Sequence, residues 1–128
     1  MGHYILIVED EENRIAEYVR QLNNQSRGTL KPLIACNLVD ALNLLREKLT
    51  IIAGIIVDGA VPITGKGSET KLTTIPLIQA AKHESSFQGP IIAASGSDAY
   101  RATMLQYGCT HGVEKYNAVN TLLKALTE

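Results

Sequence analysis

The chain lacks an apolar run able to cross a membrane. Its longest mostly apolar stretch, Ile51 to Val57, is seven residues and contains Gly54, where a bilayer-spanning helix needs about 20. It also lacks an excess of either charge. Twelve Lys and Arg stand against thirteen Asp and Glu, a formal net charge of −1. No basic field is available for a nucleic-acid backbone or an acidic membrane surface, so neither direct nucleic-acid binding nor membrane insertion is expected. Cysteine is scarce: Cys36 and Cys109 form no C-x-x-C and have no zinc-like His spacing, which suits reduced, buried thiols. His3, His83 and His111 are scattered, without metal spacing. Met1-Gly2-His3 leads straight into Tyr4-Ile5-Leu6-Ile7-Val8, without the basic region and small-residue cleavage site of a secretion signal, and we expect a cytoplasmic protein. No repeat, linker or low-complexity block interrupts the chain. With 128 residues, 45% apolar and 20% charged, it has the size and composition of one globular domain over 1–128.

Short β-branched runs alternate with longer amphipathic stretches from one end to the other, the pattern of βαβ units around a parallel sheet. The strands read Tyr4–Val8, Leu33–Cys36, Ile51–Val57, Pro90–Ala94 and Gly112–Glu114. Most are continuous Ile, Val and Ala rather than alternating, as expected when helices cover both faces. Ile15, Tyr18, Val19 and Leu22 recur at helical spacing, as do Leu38, Ala41, Leu42, Leu45 and Leu49. Asn37, Thr74, Ser97 and Asn117 stand at helix starts, Gly108 closes the fourth helix, and the last helix runs through Leu126. Five strands and five helices fill the chain. Right-handed crossovers leave few open arrangements, and we adopt the flavodoxin-like, doubly wound order 2-1-3-4-5.

In such sheets ligands bind beyond the carboxyl ends of the strands, where strand order reverses, here between strands 1 and 3. Strand 1 ends in Glu9-Asp10, strand 3 in Asp58, strand 4 in Ser95 and strand 5 in Lys115. Neighbouring strands lie about 4.8 Å apart, so Glu9, Asp10 and Asp58 fall close together and repel. A hard divalent cation such as Mg²⁺, which prefers oxygen ligands and retains some of its waters, would neutralise them. A carboxylate nucleophile, a metal and a facing ammonium together suit phosphoryl transfer.

Ile5-Leu6-Ile7-Val8-Glu9-Asp10-Glu11, Ile55-Ile56-Val57-Asp58-Gly59-Ala60-Val61-Pro62, Ile91-Ile92-Ala93-Ala94-Ser95 and Lys115 occur in the order seen in response-regulator receiver domains of two-component signalling. The chain resembles that family over essentially its whole length. The resemblance implies a phosphorylation-dependent switch rather than a metabolic enzyme. Asp58 would accept a phosphoryl group from a histidine kinase or phosphotransfer protein. Glu9, Asp10, Asp58 and the Ala60 carbonyl would hold Mg²⁺, and Ser95 and Lys115 would engage the phosphoryl group. A downstream effector protein would read the result. Three positions depart from the family pattern, two of them strongly: Gly112 stands where an aromatic is usual, and Tyr116 stands where Pro usually follows the lysine. Tyr107 or Tyr116 would have to replace that aromatic. Gly96, where Ala is frequent, loosens the backbone.

Other readings are weaker. Gly59 and Gly65 are separated by five residues and Lys66 precedes Gly67, which misses the Walker A spacing. Ala93 to Ser97 lacks the glycines of a nucleophile elbow. A flavin- or nucleotide-binding site on this fold would meet four acids after strand 1. A degenerate receiver, acting only as a docking module, stays open because of Gly112 and Tyr116. The connection Gly59 to Thr73, with Thr64-Gly65-Lys66-Gly67-Ser68 in it, is long for a strand-to-helix loop and reads as a mobile flap. Ala60 and Ser97 are short and are expected to leave a phosphoryl group open to water.

Overall fold

The computed structural model describes residues 2–128; Met1 lies outside the described residues. The chain runs β1 (Tyr4–Val8), α1 (Glu12–Ser26), β2 (Lys31–Ala35), α2 (Leu38–Lys48), β3 (Ile52–Val57), α3 (Ile75–Gln79), β4 (Ile91–Ala94), α4 (Asp98–Tyr107), β5 (His111–Val113) and α5 (Ala118–Thr127). A π-helical turn, Ala80–Glu84, continues α3. All strand pairs are parallel, in the order β2-β1-β3-β4-β5. This is the flavodoxin-like arrangement that the alternating pattern anticipates.

Strand alternation divides the core in two. Ile5, Ile7, Ile56, Ile92 and Ala94 face α1 and α5, where Tyr18, Leu22, Val119 and Leu122 cover them. Leu6, Val8, Ile55, Val57, Ile91 and Ala93 face the other way, against Leu38 and Leu45 of α2, Leu77 and Ile78 of α3, and Met104 of α4. Each fully buried aliphatic contributes roughly 1.5–3 kcal/mol relative to exposure, so the sheet is held from both faces.

Element boundaries differ from the sequence reading for local reasons. β2 starts at Lys31 and stops at Ala35, leaving Cys36 beyond it; Pro32 is tolerated because β2 is an edge strand. Leu49–Ile51 form a 3₁₀ turn, so α2 ends at Lys48 and β3 begins at Ile52. Pro90 has no amide hydrogen and contributes only its carbonyl, to Ile55 N at 3.0 Å, so β4 starts at Ile91. β5 is His111–Val113 because Thr110 locks on to Ile91, donating its amide at 2.8 Å and accepting the Ile91 amide on Oγ1 at 2.9 Å. Glu114 therefore lies past the strand.

Two of the four anticipated caps form as side-chain caps. Asn37 Oδ1 accepts the Asp40 amide at 2.8 Å, and Ser97 Oγ accepts the Tyr100 amide at 3.1 Å. Thr74 instead turns inward, buried, and donates to the Asp58 carbonyl at 2.8 Å. Asn117 makes no side-chain cap; a 3₁₀ turn over Lys115–Asn117 leads into α5.

Candidate functional site

Sheet hydrogen bonding continues one residue past the strands, and this positions the site. Val8 pairs with Val57, the Asp58 amide donates to the Val8 carbonyl at 2.9 Å, and the Glu9 amide donates to the Ala35 carbonyl at 3.1 Å. The strand ends are thus in register, and Glu9, Asp10 and Asp58 emerge side by side, each with a carboxylate oxygen within 4.8 Å of the others. Across the sheet the Ser95 amide reaches the Val113 carbonyl at 3.2 Å, which brings Ser95 and Lys115 to the same rim.

Lys115 Nζ donates to Asp58 Oδ2 at 3.1 Å and lies 3.0 Å from Glu9 Oε1. The second contact lacks hydrogen-bond geometry, so the fully buried Glu9 Oε1 is paired by charge alone. Glu9 Oε2 folds back to accept the amides of Asp10 and Glu11, each at 3.2 Å. Asp58 Oδ1 accepts the Ala60 amide at 3.3 Å. One ammonium thus serves a pair of buried carboxylates.

Burial, and after it the charge of Asp58, pushes Glu9 up to about 7 although Lys115 pulls it down. Burial raises Asp58 as well, against the lowering influence of Lys115 and the Ala60 amide. Burial works to lower Lys115, but the charges of Asp58 and Glu9 prevail and hold it above the usual lysine value. The carboxylates are therefore reluctant anions, and additional positive charge beside them would favour their ionised forms.

The donor set fits a hard divalent cation: oxygen ligands only, mutually close, with Asp10 partly exposed so that water can complete the shell. Ala60 lines the same cleft. That cleft has a volume of about 760 Å³, within the roughly 300–1,000 Å³ typical of small-molecule sites. Its walls carry Glu9, Asp10, Glu11, Glu12 and Asp58, together with Ser95, Gly96, Ser97 and Lys115.

All six residues singled out from the sequence, Glu9, Asp10, Asp58, Ala60, Ser95 and Lys115, line this one cleft. Ser95 is buried, and its Oγ accepts the Ser97 amide at 3.1 Å. The aromatic substitutes proposed for position 112 do not enter the interior: Tyr107 is exposed, and Tyr116 is 63% exposed. A Cβ at Gly112 would lie 3.2 Å from Leu105 Cδ1 and 3.4 Å from Arg101 Cβ, so α4 already covers that position. Arg101 bonds the Ser95 carbonyl and the Asp98 carboxylate, and its Nη1 lies 3.5 Å from Glu114 Oε1, tying together the two loops that carry Ser95 and Lys115.

The sequence reading missed Cys36 and Tyr100 as wall residues, and Glu69 and Thr70 were covered only as part of the long connection. Tyr100 carries no local signal beyond following the Ser97 cap, whereas Lys66, Gly67 and Ser68 belong to the long connection already marked as unusual.

No family model and no curated protein matches the chain. Solved structures do. A signal receiver domain of a Luxo repressor protein from Vibrio parahaemolyticus matches with a TM-score of 0.73 at 15% identity, over 99% of this chain and 92% of that one. A response regulator from Chloroflexus aurantiacus matches at 0.71 and 18% identity, over the whole of both chains. A response regulator protein from Burkholderia pseudomallei, solved with a phosphorylated aspartic acid, a calcium ion and citrate, matches at 0.70 and 22% identity, over 98% of this chain and 66% of that one. The chain has the fold of receiver domains. Among the described residues no helix is long and apolar enough to cross a membrane.

Proposed function

We propose that the chain is a phosphorylation-dependent receiver, in which Asp58 accepts a phosphoryl group from a histidine kinase or phosphotransfer protein and a downstream effector protein reads the change. The observation that carries this is the clustering of Glu9, Asp10 and Asp58 within 4.8 Å, with Lys115 on Asp58 at 3.1 Å. The Burkholderia structure with its phosphorylated aspartic acid and calcium ion supports the same chemistry on this fold. Glu9, Asp10, Asp58 and the Ala60 carbonyl would hold Mg²⁺, which when bound neutralises charge on the transferring oxygens.

The residues of the chain perform the rest. A carboxylate oxygen of Asp58 attacks phosphorus in line, the phosphorus–nitrogen bond of the donor phosphohistidine breaks, and its electron pair remains on the imidazole. Lys115, already hydrogen-bonded to Asp58, holds the carboxylate in place and then meets the new phosphoryl oxygens. Ser95 Oγ, at present accepting an amide 3.1 Å away, is a hydroxyl of the same cleft available to those oxygens. Arg101 carries any movement of Ser95 towards Glu114, beside Lys115, through the contacts it already makes. A cytoplasmic signalling protein, rather than a metabolic enzyme, follows from this reading.

The test is direct. With acetyl phosphate and Mg²⁺ the protein should gain the mass of one phosphoryl group, and Asp58→Asn should abolish the gain. No gain in the parent would leave the docking-module reading standing in its place.

A further inference from the structure

Residues 59–73 do not hang free. The neck of this loop is pinched shut: the Thr73 amide donates to the Gly59 carbonyl at 2.8 Å, and Thr73 Oγ1 donates to the Val61 carbonyl at 2.6 Å and accepts the Val61 amide at 3.1 Å. The outgoing limb is tied to α2, whose first amides, Leu38 and Val39, donate to the carbonyls of Pro62 and Ile63 at 2.9 and 3.0 Å. Between neck and tip two side chains act as latches from opposite sides. Asn37 Nδ2 donates to the Gly65 carbonyl at 2.9 Å, and Tyr100 Oη donates to the Thr70 carbonyl at 2.5 Å. The span between the latches, Lys66 to Glu69, lines the cleft that holds Asp58.

We infer that residues 65–70 form a latched arch over the phosphoryl pocket, and that the Tyr100 and Asn37 latches set how readily water and phosphodonors reach Asp58. This rests on the proposed phosphorylation of Asp58. The architecture gives three independent supports. Lys66 to Glu69 line the same cleft as the short side chains of Ala60 and Ser97, so the arch supplies cover those side chains do not. The left-handed backbones of Gly65 and Gly67, φ 68° and 144°, occur within it, at positions where a Cβ would meet nothing within 4 Å, so they serve bending rather than packing. The Tyr100 ring is itself anchored beside the acceptor: a Cβ at Gly59, the residue after Asp58, would lie 3.3 Å from Tyr100 Cδ2 and 3.0 Å from Leu72 Cδ1. One side chain thus packs beside Gly59, the residue after Asp58, and holds the far limb of the arch.

With the arch closed, water has restricted access to the acyl phosphate. Hydrolysis proceeds when it opens: a water oxygen attacks phosphorus, the bond from phosphorus to the Asp58 oxygen breaks, and the carboxylate and inorganic phosphate part, with the water proton on the phosphate. Losing one latch hydrogen bond of average net worth shifts an open–closed equilibrium by about fivefold.

The experiment compares the parent with Tyr100→Phe, which keeps the ring and removes only the hydroxyl, and Asn37→Ser, which keeps a helix cap and removes the arm to Gly65. Each protein is phosphorylated with acetyl phosphate and Mg²⁺, the donor is removed, and loss of the added mass is followed; tryptic cleavage after Lys66 reports opening independently. We expect a half-life about fivefold shorter in each variant, with faster cleavage after Lys66. A parent that takes the phosphoryl group while the variants hold it just as long overturns the arch and leaves the phosphorylation reading intact. A shorter half-life without faster cleavage also overturns it, because Tyr100 would then act on the site and not through the arch. No added mass in the parent overturns the phosphorylation reading, and the arch with it.

Discussion

At the scale of single residues, the same side-chain type takes opposite roles according to burial. Cys109 is buried, and burial pushes its thiol up to about 12. Cys36 is partly exposed at the wall of the cleft. Thiolates, not thiols, are alkylated, so iodoacetamide at neutral pH should label Cys36 first and leave Cys109 unmodified in the folded protein. Peptide mapping after partial labelling checks this; labelling of Cys109 at the rate of Cys36 would contradict the burial described. The carboxylates show the same principle in the functional site. Glu9 was legible as an acid at a strand end, but its complete burial, and its sharing of a single ammonium with Asp58, are properties of the fold. A sequence position states which group is available, and the surroundings decide how costly its charge is.

At the scale of elements, apolar runs located the five strands, helical spacing the first two helices and cap-type residues the other three, while the ends were set by hydrogen bonds that local pattern does not report. Asn37 and Ser97 cap as their residue types suggest, but Thr74, of equally suitable type, spends its hydroxyl on the Asp58 carbonyl. Ser97→Ala should therefore destabilise the protein by about 1 kcal/mol through α4, measurable as a lower urea midpoint with an unchanged slope. Ser97→Gly should cost only about a few tenths of a kcal/mol. Thr74→Val removes a buried donor beneath the acceptor and leaves the carbonyl of Asp58 without that partner, so it should cost more than the cap, roughly 1–3 kcal/mol. Equal losses in Ser97→Ala and Thr74→Val would show that the inward bond to the Asp58 carbonyl contributes no more than an ordinary cap.

At the scale of the whole molecule, the accumulation of acids at one rim makes stability depend on pH, and the proposed metal site would add a dependence on divalent cations. The Glu9 carboxyl titrates near 7 in the folded protein, against 4.5 ordinarily. Between those values the unfolded chain has released a proton that the folded protein retains, so without metal, folding stability falls as pH rises through this window and changes little from this source above it. Asp58 acts in the same direction. Lys115, held above its usual value, contributes stability that is likewise lost as pH rises, but only in strongly alkaline solution. Mg²⁺ favours the ionised carboxylates, so the rise in Tm produced by excess Mg²⁺ over EDTA should be larger at about pH 8 than at about pH 5. Thermal melts at both pH values provide the check, and an equal rise would dissociate the acidic cluster from metal binding.

The order of acids, hydroxyl and lysine along the chain, and the alternation that dictates a parallel sheet covered on both faces, were determined by sequence alone, because strand and helix periods and strand-end residues are local properties. Whether Glu9 or Asp10 would be the buried acid, that Arg101 and Leu105 would cover Gly112, and that Tyr100 would reach Thr70 thirty residues away were decided only by tertiary structure. Those outcomes depend on register between distant strands and on how α4 packs against β5, and such contacts leave no periodic trace in the segments that make them.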